Sequence, residues 1–327
     1  MCLVVGVMMT KPNRLYDLLL DYCSRDMLID TVLIGAVWTI CQTRDKGATG
    51  LAMSPAITTR MLPWSGTLSG KPVTELAAWI THWEPYQATV AMAAINCCIN
   101  SRPLPESVPV ASSTEHPNLA VFEYFLPHLR NKKVVVIGHY PGIERYQHAM
   151  QLTVLEKHPN VGDLPDAACE FLLPTADWVF LTASSITNKT FPRLAELARH
   201  AKTVLMGPTV PWLPQLHEFG IDYLAGIDVI DATALYHTVA QGGGVRIFEN
   251  SLRYRIAELS PTTSMAWLKQ QIADCVAEKM RLTSAMENWY RTGSTCRFPD
   301  CPLLEQLNAR LSRLDSSFAR LWNAQNT

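Results

Sequence analysis

The sequence contains no uninterrupted apolar run of the roughly 18 residues that a bilayer-crossing helix needs. Its apolar start, Met1 to Met9, lacks the basic lead-in and the small-residue cleavage site of a signal peptide. Positive charge is not in excess, since 28 lysines and arginines against 29 acidic residues give a net charge of −1. These absences argue against membrane insertion and a nucleic-acid partner, and they predict a cytoplasmic protein.

A disulfide framework and the common catalytic motifs are also missing. The nine cysteines form an odd, scattered set in a chain of 327 residues, which favours a reducing compartment. We find no P-loop, no H-E-x-x-H helix and no Ser-His-Asp order. Whether the protein is an enzyme therefore stays open at this point.

The most informative stretch begins with an apolar strand, Lys132–Ile137, that ends at Gly138-His139-Tyr140-Pro141-Gly142. A β-branched run without polar alternation is typical of a parallel strand buried on both faces. Further strands with helical patterns between most of them are predicted at Leu152–Glu156, Trp178–Thr182, Thr203–Gly207 and Tyr223–Ile227. This spacing predicts an α/β fold with a mainly parallel sheet.

The first third has a different pattern, which predicts a small α+β domain. A helix is expected over Arg14–Cys23, and strands over Thr31–Ile40 and Gly50–Met53 are joined by a turn at Arg44-Asp45-Lys46-Gly47. Two further helices are expected to start at Lys71-Pro72 and Glu84-Pro85.

Two changes of composition indicate domain boundaries. Ser101–Asn118 contains four prolines and reads as a linker. After Ser260, apolar residues recur at steps of three and four in two segments, which predicts a helical hairpin. The expected domains are residues 1–115, 116–260 and 261–327.

The strand ends carry the candidate site. Gly138 and Gly142 do not complete a G-x-G-x-x-G fingerprint. One hypothesis is that an anion binds the backbone N–H groups at the start of the following helix, which is expected within Ile143–Met150. The alternative is that the turn requires glycine only for its backbone dihedral angles. Glu156 ends the second strand 18 residues after Gly138. Dinucleotide-binding folds have an acidic residue near this position, which accepts hydrogen bonds from the ribose hydroxyls. A solvent-exposed glutamate at the end of a strand would give the same sequence pattern.

The other strand ends are expected to converge on the same crevice, because ligands of open α/β sheets lie at the carboxyl ends of the strands. The predicted ligand-binding residues are Gly138, His139, Tyr140, Gly142, Glu156, Thr182, Ser184, Asn188, Lys189, Gly207 and Thr209. Asn188 or Thr190 has an alternative role as a cap of the helix expected over Phe191–His200.

Three residues are candidate metal ligands. His139 suits acid–base work or metal ligation, although the sequence places no carboxylate or second histidine at ligand spacing beside it. Cys296 and Cys301 in the hairpin turn could bind a soft metal ion such as Cu(I), or they could supply half of the ligands of a tetrahedral zinc site. The alternative is that they are free thiols or form a redox-dependent disulfide. The neighbouring Cys97 and Cys98 point about 100° apart on a helix, which disfavours chelation by that pair alone.

Several segments taken together resemble the "putative heavy-metal chelation" family over about residues 15 to 258. They are Gly35–Thr39, Gly50–Ala52, Leu68–Leu76, Ala91–Asn96, Phe122–Tyr124, Val136–Pro141, Gly162–Asp166, Ile186–Thr190 and Gly242–Gly244. The resemblance implies an enolase-N-terminal-like α+β domain followed by a Rossmann-like domain, with a small-molecule site between them lined by Gly138, His139, Asn188 and Gly207.

The leading hypothesis is a cytoplasmic protein that binds a small molecule or metal chelate in metal acquisition or metallophore metabolism. The expected cofactor is a transition metal, copper, iron or zinc, or else a nucleotide. The alternatives are an enzyme that uses NAD(P) or S-adenosylmethionine, with Glu156 on the ribose, and an interaction scaffold. A homodimer formed by the hairpin is expected, because its apolar stripes need a covering surface, which docking within one chain would also supply.

Overall fold

The computed structural model describes residues 13–23, 27–44, 48–58, 60–111 and 116–325. The chain forms two compact units: the first runs to Trp212 and resumes over Phe219–Glu258, and the second comprises Leu213–Glu218 and Leu259–Thr327. The apolar start and most of the turn expected at Arg44-Asp45-Lys46-Gly47 lie outside the described residues.

The first unit opens with a helix, an antiparallel meander and two helices. The elements are α1 (Asn13–Leu20), β1 (Ile29–Ile34), β2 (Trp38–Thr43), β3 (Thr49–Met53), α2 (Val73–Ala77) and α3 (Pro85–Asn100). The strand expected over Thr31–Ile40 is divided between β1 and β2, because the chain turns at residues 35–37 and Gly35 N donates to Trp38 O at 2.9 Å. The α+β character predicted for this part is confirmed.

Helix α3 is the central element of this part. Its start at Glu84-Pro85 agrees with the prediction, since the Glu84 carboxylate accepts hydrogen bonds from Tyr86 N and Gln87 N and satisfies two of the free N–H groups of the first turn. Almost every side chain of α3 is buried. It packs against β3 so closely that a Cβ added to Gly50 would lie 2.0 Å from Ala93 O.

The rest of the first unit alternates strands and helices. Its elements are β4 (Val108–Pro109), α4 (Ala120–Leu129), β5 (Lys133–Ile137), β6 (Gln151–Glu156), β7 (Leu164–Pro165), α5 (Cys169–Leu172), β8 (Trp178–Thr182), α6 (Ser184–Thr187), α7 (Phe191–Leu197), β9 (Lys202–Met206), β10 (Tyr223–Val229), α8 (Ala232–Ala240), α9 (Ile247–Asn250) and β11 (Leu252–Glu258). Each of the five strands predicted from the buried runs is present, with ends within two residues of those expected.

These strands form one eight-stranded sheet in the order β4-β11-β10-β9-β8-β5-β6-β7. Neighbours from β10 to β7 are parallel, and β11 is antiparallel to both β10 and β4. The predicted linker therefore contributes the edge strand β4. The sheet is buried because aromatic residues cover it, as where Phe122 of α4 lies 4.8 Å from Phe180 of β8 between ring centroids.

The second unit contains two long helices, α10 (Pro261–Arg291) and α11 (Cys301–Gln325), which confirm the predicted helical hairpin. Ser260 and Thr263 form a capping box at the start of α10. The two apolar stripes bury each other through Leu268, Cys275, Leu282, Leu307, Leu314 and Leu321. Within the described parts of the chain, no helix has both the length and the apolar character required to cross a membrane.

Candidate functional site

A cavity of about 1000 Å³ lies in the first unit at the carboxyl ends of β5, β8 and β9. Its opposite wall comes from the meander and the segments that follow it. The residues contributed by that wall are Val37, Trp38, Met53, Ser54, Pro55, Ala56, Ile57, Trp83, Pro85 and Thr89. The cavity thus lies between the α+β part and the large sheet, within one compact unit.

The sheet topology explains why a crevice forms at this place. From β5 the chain moves to β6 on one side and then returns to β8 on the other, so connections leave β5 in opposite directions. In open α/β sheets, ligands bind at such a switch point. Gly138 follows β5 with a φ of 99°, and a Cβ there would lie 3.3 Å from Thr182 Cβ, so glycine allows the two strand ends to approach.

Most of the predicted ligand-binding residues lie around this one cavity. Those that line it are Gly138, His139, Tyr140, Glu156, Thr182, Ser184, Asn188, Lys189, Gly207 and Thr209. The resemblance implied a site between the two domains, but no residue of the meander was predicted to line it, and neither were Gly244, Val245 and Phe248. No local pattern reveals which loops cross a sheet end. Ligand binding by these residues stays a prediction.

Gly142 is not among the residues that line the cavity. Its φ of 88° explains the glycine, and a Cβ would contact the Leu119 side chain. The segment expected to be helical over Ile143–Met150 forms only a short 3₁₀ helix at Ile143–Tyr146. The α-helix expected after Gly142 is therefore wrong, and so short a 3₁₀ helix has little dipole to attract an anion. Anion binding by the backbone of this turn stays a prediction.

His139 has a carboxylate partner that the sequence spacing did not reveal. Its Nδ1 lies 3.0 Å from Asp163 Oδ2 and 3.2 Å from Oδ1, although 24 residues separate the two along the chain. The Asp163 side chain is 5 % exposed and that of His139 is 27 % exposed. His139 thus lines the cavity with an imidazole that is paired with a nearly buried carboxylate.

Glu156 holds the turn after β5 in place. One carboxylate oxygen accepts from His139 N at 2.9 Å and the other from Lys157 N at 2.7 Å. Charged hydrogen bonds of this kind fix the loop firmly. Because both oxygens already bind backbone groups, the structure gives Glu156 a positioning role that the ribose hypothesis did not include.

Two tyrosines, Tyr140 and Tyr254, line the cavity. Burial raises the pKa of Tyr140, while its hydrogen bond to Thr182 acts in the opposite direction and the Glu156 charge adds to the rise. Burial likewise raises the pKa of Tyr254, with a contribution from Tyr140. Both phenols therefore stay neutral at physiological pH and are able to donate hydrogen bonds to a bound molecule.

The loop after α6 places Lys189 at the cavity with an unusual backbone, at a φ of 69°. Its ammonium group donates to Ile80 O and lies 4.5 Å from the centre of the Tyr16 ring. Burial lowers the pKa of Lys189 to about 8. Asn188 Oδ1 accepts from Thr190 N at 3.1 Å, so its side chain orders the turn before α7. The expected cap is not formed, because Thr190 is the N-cap residue of α7 and no side chain caps this helix.

Thr209 joins the two walls. Its hydroxyl accepts from Met53 N at 2.9 Å, and its carbonyl accepts from Asn96 Nδ2 at 3.0 Å. The side chain is 2 % exposed. Thr209 therefore fastens the meander to the loop after β9, which fixes the width of the cavity.

Among the cysteines of the described residues, Cys169 is the one that lines the cavity. Cys296 is exposed and Cys301 is partly buried, both in the second unit. Cys97 and Cys98 face different partners, Cys41 and Cys23 respectively, as their helical positions predicted. Among the residues described, no three His, Cys, Asp or Glu side chains form a group that could hold a metal ion.

Structural comparison gives two relatives of unknown function from the DUF364 family. The protein from Desulfitobacterium hafniense is 28 % identical with a TM-score of 0.62, and the alignment covers 76 % of this chain and 98 % of that one. The protein from Pyrococcus horikoshii is 20 % identical with a TM-score of 0.63, covering 76 % and 99 %, and this likeness supports the fold alone.

Sequence comparison agrees. An uncharacterised protein of Methanocaldococcus jannaschii is 32 % identical over 108 residues, a match that spans 31 % of this chain and 42 % of that protein. Two family models, DUF4213 over residues 16–99 and DUF364 over residues 120–258, both carry the description "Putative heavy-metal chelation". The α+β part and the large sheet each correspond to one of these models, and over these two ranges the chain belongs to the family described as "Putative heavy-metal chelation".

Proposed function

We propose that this protein binds an organic metal chelate in the cavity of its first unit, and that it acts in metal acquisition or metallophore metabolism in the cytoplasm. The observation that carries the proposal is the cavity of about 1000 Å³ at the switch point of the sheet. This volume suits an organic molecule, since sites for such ligands measure about 300–1,000 Å³. The family description favours a ligand connected with heavy metals.

The lining supports an organic ligand with a few polar groups. Trp38, Trp83 and Phe248 offer flat apolar surface, and the hydroxyls of Tyr140 and Thr182 offer hydrogen bonds. Such a combination is typical of small-molecule sites, in which apolar contact supplies affinity and a few polar groups supply specificity. All cysteines within the described residues are free thiols, which agrees with a reducing compartment.

A nucleotide-dependent enzyme is the second candidate, because the cavity occupies the position at which Rossmann-like folds bind nucleotides. Glu156 stands at the end of β6, next to β5, as a ribose-binding acid would. Its two backbone hydrogen bonds make this reading weaker, since a ribose would have to share both oxygens with His139 N and Lys157 N.

The test is to identify what the purified protein carries. Denaturation followed by mass spectrometry and metal analysis is expected to release an organic molecule and a metal in similar amounts. Ala56→Trp fills the cavity wall with a large side chain and should lower both at least tenfold. Ala78→Trp is the matched control, because Ala78 is exposed and does not line the cavity.

A titration with Cu(II)–nitrilotriacetate complements this test in case the natural ligand is lost on purification. Binding that Ala56→Trp weakens and Ala78→Trp leaves unchanged supports the proposal. Release of NAD(P) or S-adenosylmethionine would instead support the enzyme. A wild-type protein that releases no metal-bearing molecule and does not bind the copper probe contradicts the proposal.

A further inference from the structure

An imidazole that lines the cavity is paired with a buried carboxylate that does not line it. His139 Nδ1 lies 3.0 Å from Asp163 Oδ2, within ordinary hydrogen-bond distance. The His139 backbone is anchored separately, because its N–H donates to Glu156. Asp163 is anchored as well: its N–H donates to Asn160 O, and its carboxylate accepts from Asn160 N. Neither partner depends on the other alone for its position.

The hydrogen bond determines which ring nitrogen carries the proton. A carboxylate has only acceptors, so Nδ1 of His139 must donate to Asp163. In the neutral imidazole, Nε2 then carries the free lone pair. Within the described residues, the ring forms its hydrogen bonds through Nδ1 alone, and the residue lines the cavity. The ring nitrogen whose lone pair is available to a metal ion is therefore Nε2.

This arrangement matches the surroundings of metal-binding histidines in general. Such histidines donate their second ring N–H to a carboxylate, which fixes the tautomer and makes the ligating nitrogen more basic. Imidazole suits copper, nickel, zinc and iron ions. One imidazole alone holds such an ion weakly, whereas an ion that arrives in an organic chelate needs only its open position filled.

We propose that His139 Nε2 completes the coordination of a metal ion that an incompletely saturated organic chelate brings into the cavity, and that Asp163 is the positioning residue. This inference rests on the proposed function and deepens it by naming the ligand class, a chelate with an open position. A fully saturated chelate should bind more weakly, since it offers the imidazole no site.

The experiment uses tag-free full-length protein and two copper probes. Cu(II)–nitrilotriacetate leaves coordination positions open, whereas Cu(II)–ethylenediaminetetraacetate fills them. We expect the first to bind at least tenfold more tightly and to show one imidazole nitrogen in its electron paramagnetic resonance spectrum. His139→Ala and His139→Gln should each abolish that nitrogen signal and lower the affinity for the first probe at least tenfold. His139→Gln keeps a polar side chain in case His139→Ala impairs folding.

Asp163→Asn tests the positioning role. It should weaken probe binding by about 10–100-fold, the usual effect of losing such a partner, while the imidazole signal persists at saturating probe. His148→Ala is the matched control, because His148 is an exposed histidine that does not line the cavity, so probe binding should stay unchanged. Circular dichroism confirms that each variant is folded.

Unchanged affinity and an unchanged nitrogen signal in the His139 variants would overturn the inference, as would loss of both in His148→Ala. The two failures remain distinguishable. If wild type and His139→Ala carry the same released chelate but Ala56→Trp does not, the proposed function stands and the role of His139 is wrong. If no variant or wild-type protein carries or binds a chelate, the proposed function itself fails.

Discussion

Lys189 combines a left-handed backbone with an ammonium group that is half withdrawn from water. A positive φ is unfavourable for a residue with a Cβ, and burial disfavours the charged form of lysine. The Ile80 carbonyl and the Tyr16 ring offset part of this cost, because both attract a cation. Strain of this kind persists only where the surroundings hold the residue in place, as they do at many functional sites.

The pKa of about 8 leads to a pH dependence of stability. Below pH 8 Lys189 is protonated in both states, and its buried charge lowers stability. Between pH 8 and the ordinary 10.5 the unfolded chain binds more protons than the folded one, so this group makes the free energy of unfolding rise with pH. Lys189→Met should flatten that rise in urea titrations from pH 7.5 to 10.5.

Lys132→Met serves as the control, because Lys132 is exposed and should leave the slope unchanged. A Lys189→Met variant with the wild-type slope would show that the lysine is ordinary in the folded protein.

Single residues also show the limits of sequence reasoning. His139 and Glu156 were predicted as site residues because they follow or end buried strands, and the sheet brings them together. Asp163 was missed as the partner of His139, because a contact across 24 residues depends on how the loop after β6 folds back. Spacing along the chain detects ligand pairs within a helix or turn and not pairs of this kind.

At the level of elements, the contact between β3 and α3 depends on one glycine. A Cβ on Gly50 would lie 2.0 Å from Ala93 O and 2.2 Å from Cys97 N, both backbone atoms that cannot rotate away. The strand and helix can be this close only without a side chain at this position.

Gly50→Ala should therefore lower the free energy of unfolding by about 3 kcal/mol, at the upper end of the usual cost of overpacking. Gly244→Ala is the matched control, since a Cβ there would only touch Val37 at 3.8 Å and no positive φ is involved. Chemical denaturation monitored by circular dichroism measures both. Equal stability of the two variants would mean that α3 can move away from β3 at little cost.

Elements differ in how well the sequence predicts them, for physical reasons. The runs that became β5, β8 and β9 are apolar on both faces, which only a buried strand satisfies. The segment Ile143–Met150 has a helical pattern but only a short 3₁₀ turn, because the chain must return at once to β6 beside β5. The short path of the chain from β5 to β6 thus prevents the α-helix that the local sequence favours.

For the whole molecule, the homodimer expected from the sequence stays a prediction. The stripes of α10 and α11 already bury each other, so they alone do not require a second chain. What remains exposed on the hairpin includes Met280 at 65 % and Trp322 at 54 %, two side chains that a second chain would cover if the dimer formed through this surface.

If a dimer forms through this surface, light scattering should give twice the chain mass, and Met280→Glu combined with Trp322→Glu should give a monomer. Phe171→Glu is the control, because Phe171 is 81 % exposed but belongs to the first unit. A dimer that persists in the double variant would rule out these side chains as the interface.

The large sheet ends in a two-residue strand on each side, β4 and β7, and each of these strands contains a proline, Pro109 and Pro165. Proline has no N–H to offer, and two residues provide too short a template for another strand to pair with. The eight-stranded sheet is thus closed to growth by strand addition. Neither a second copy nor a misfolded chain can readily extend this sheet at its edges, which protects it against fibre-like growth.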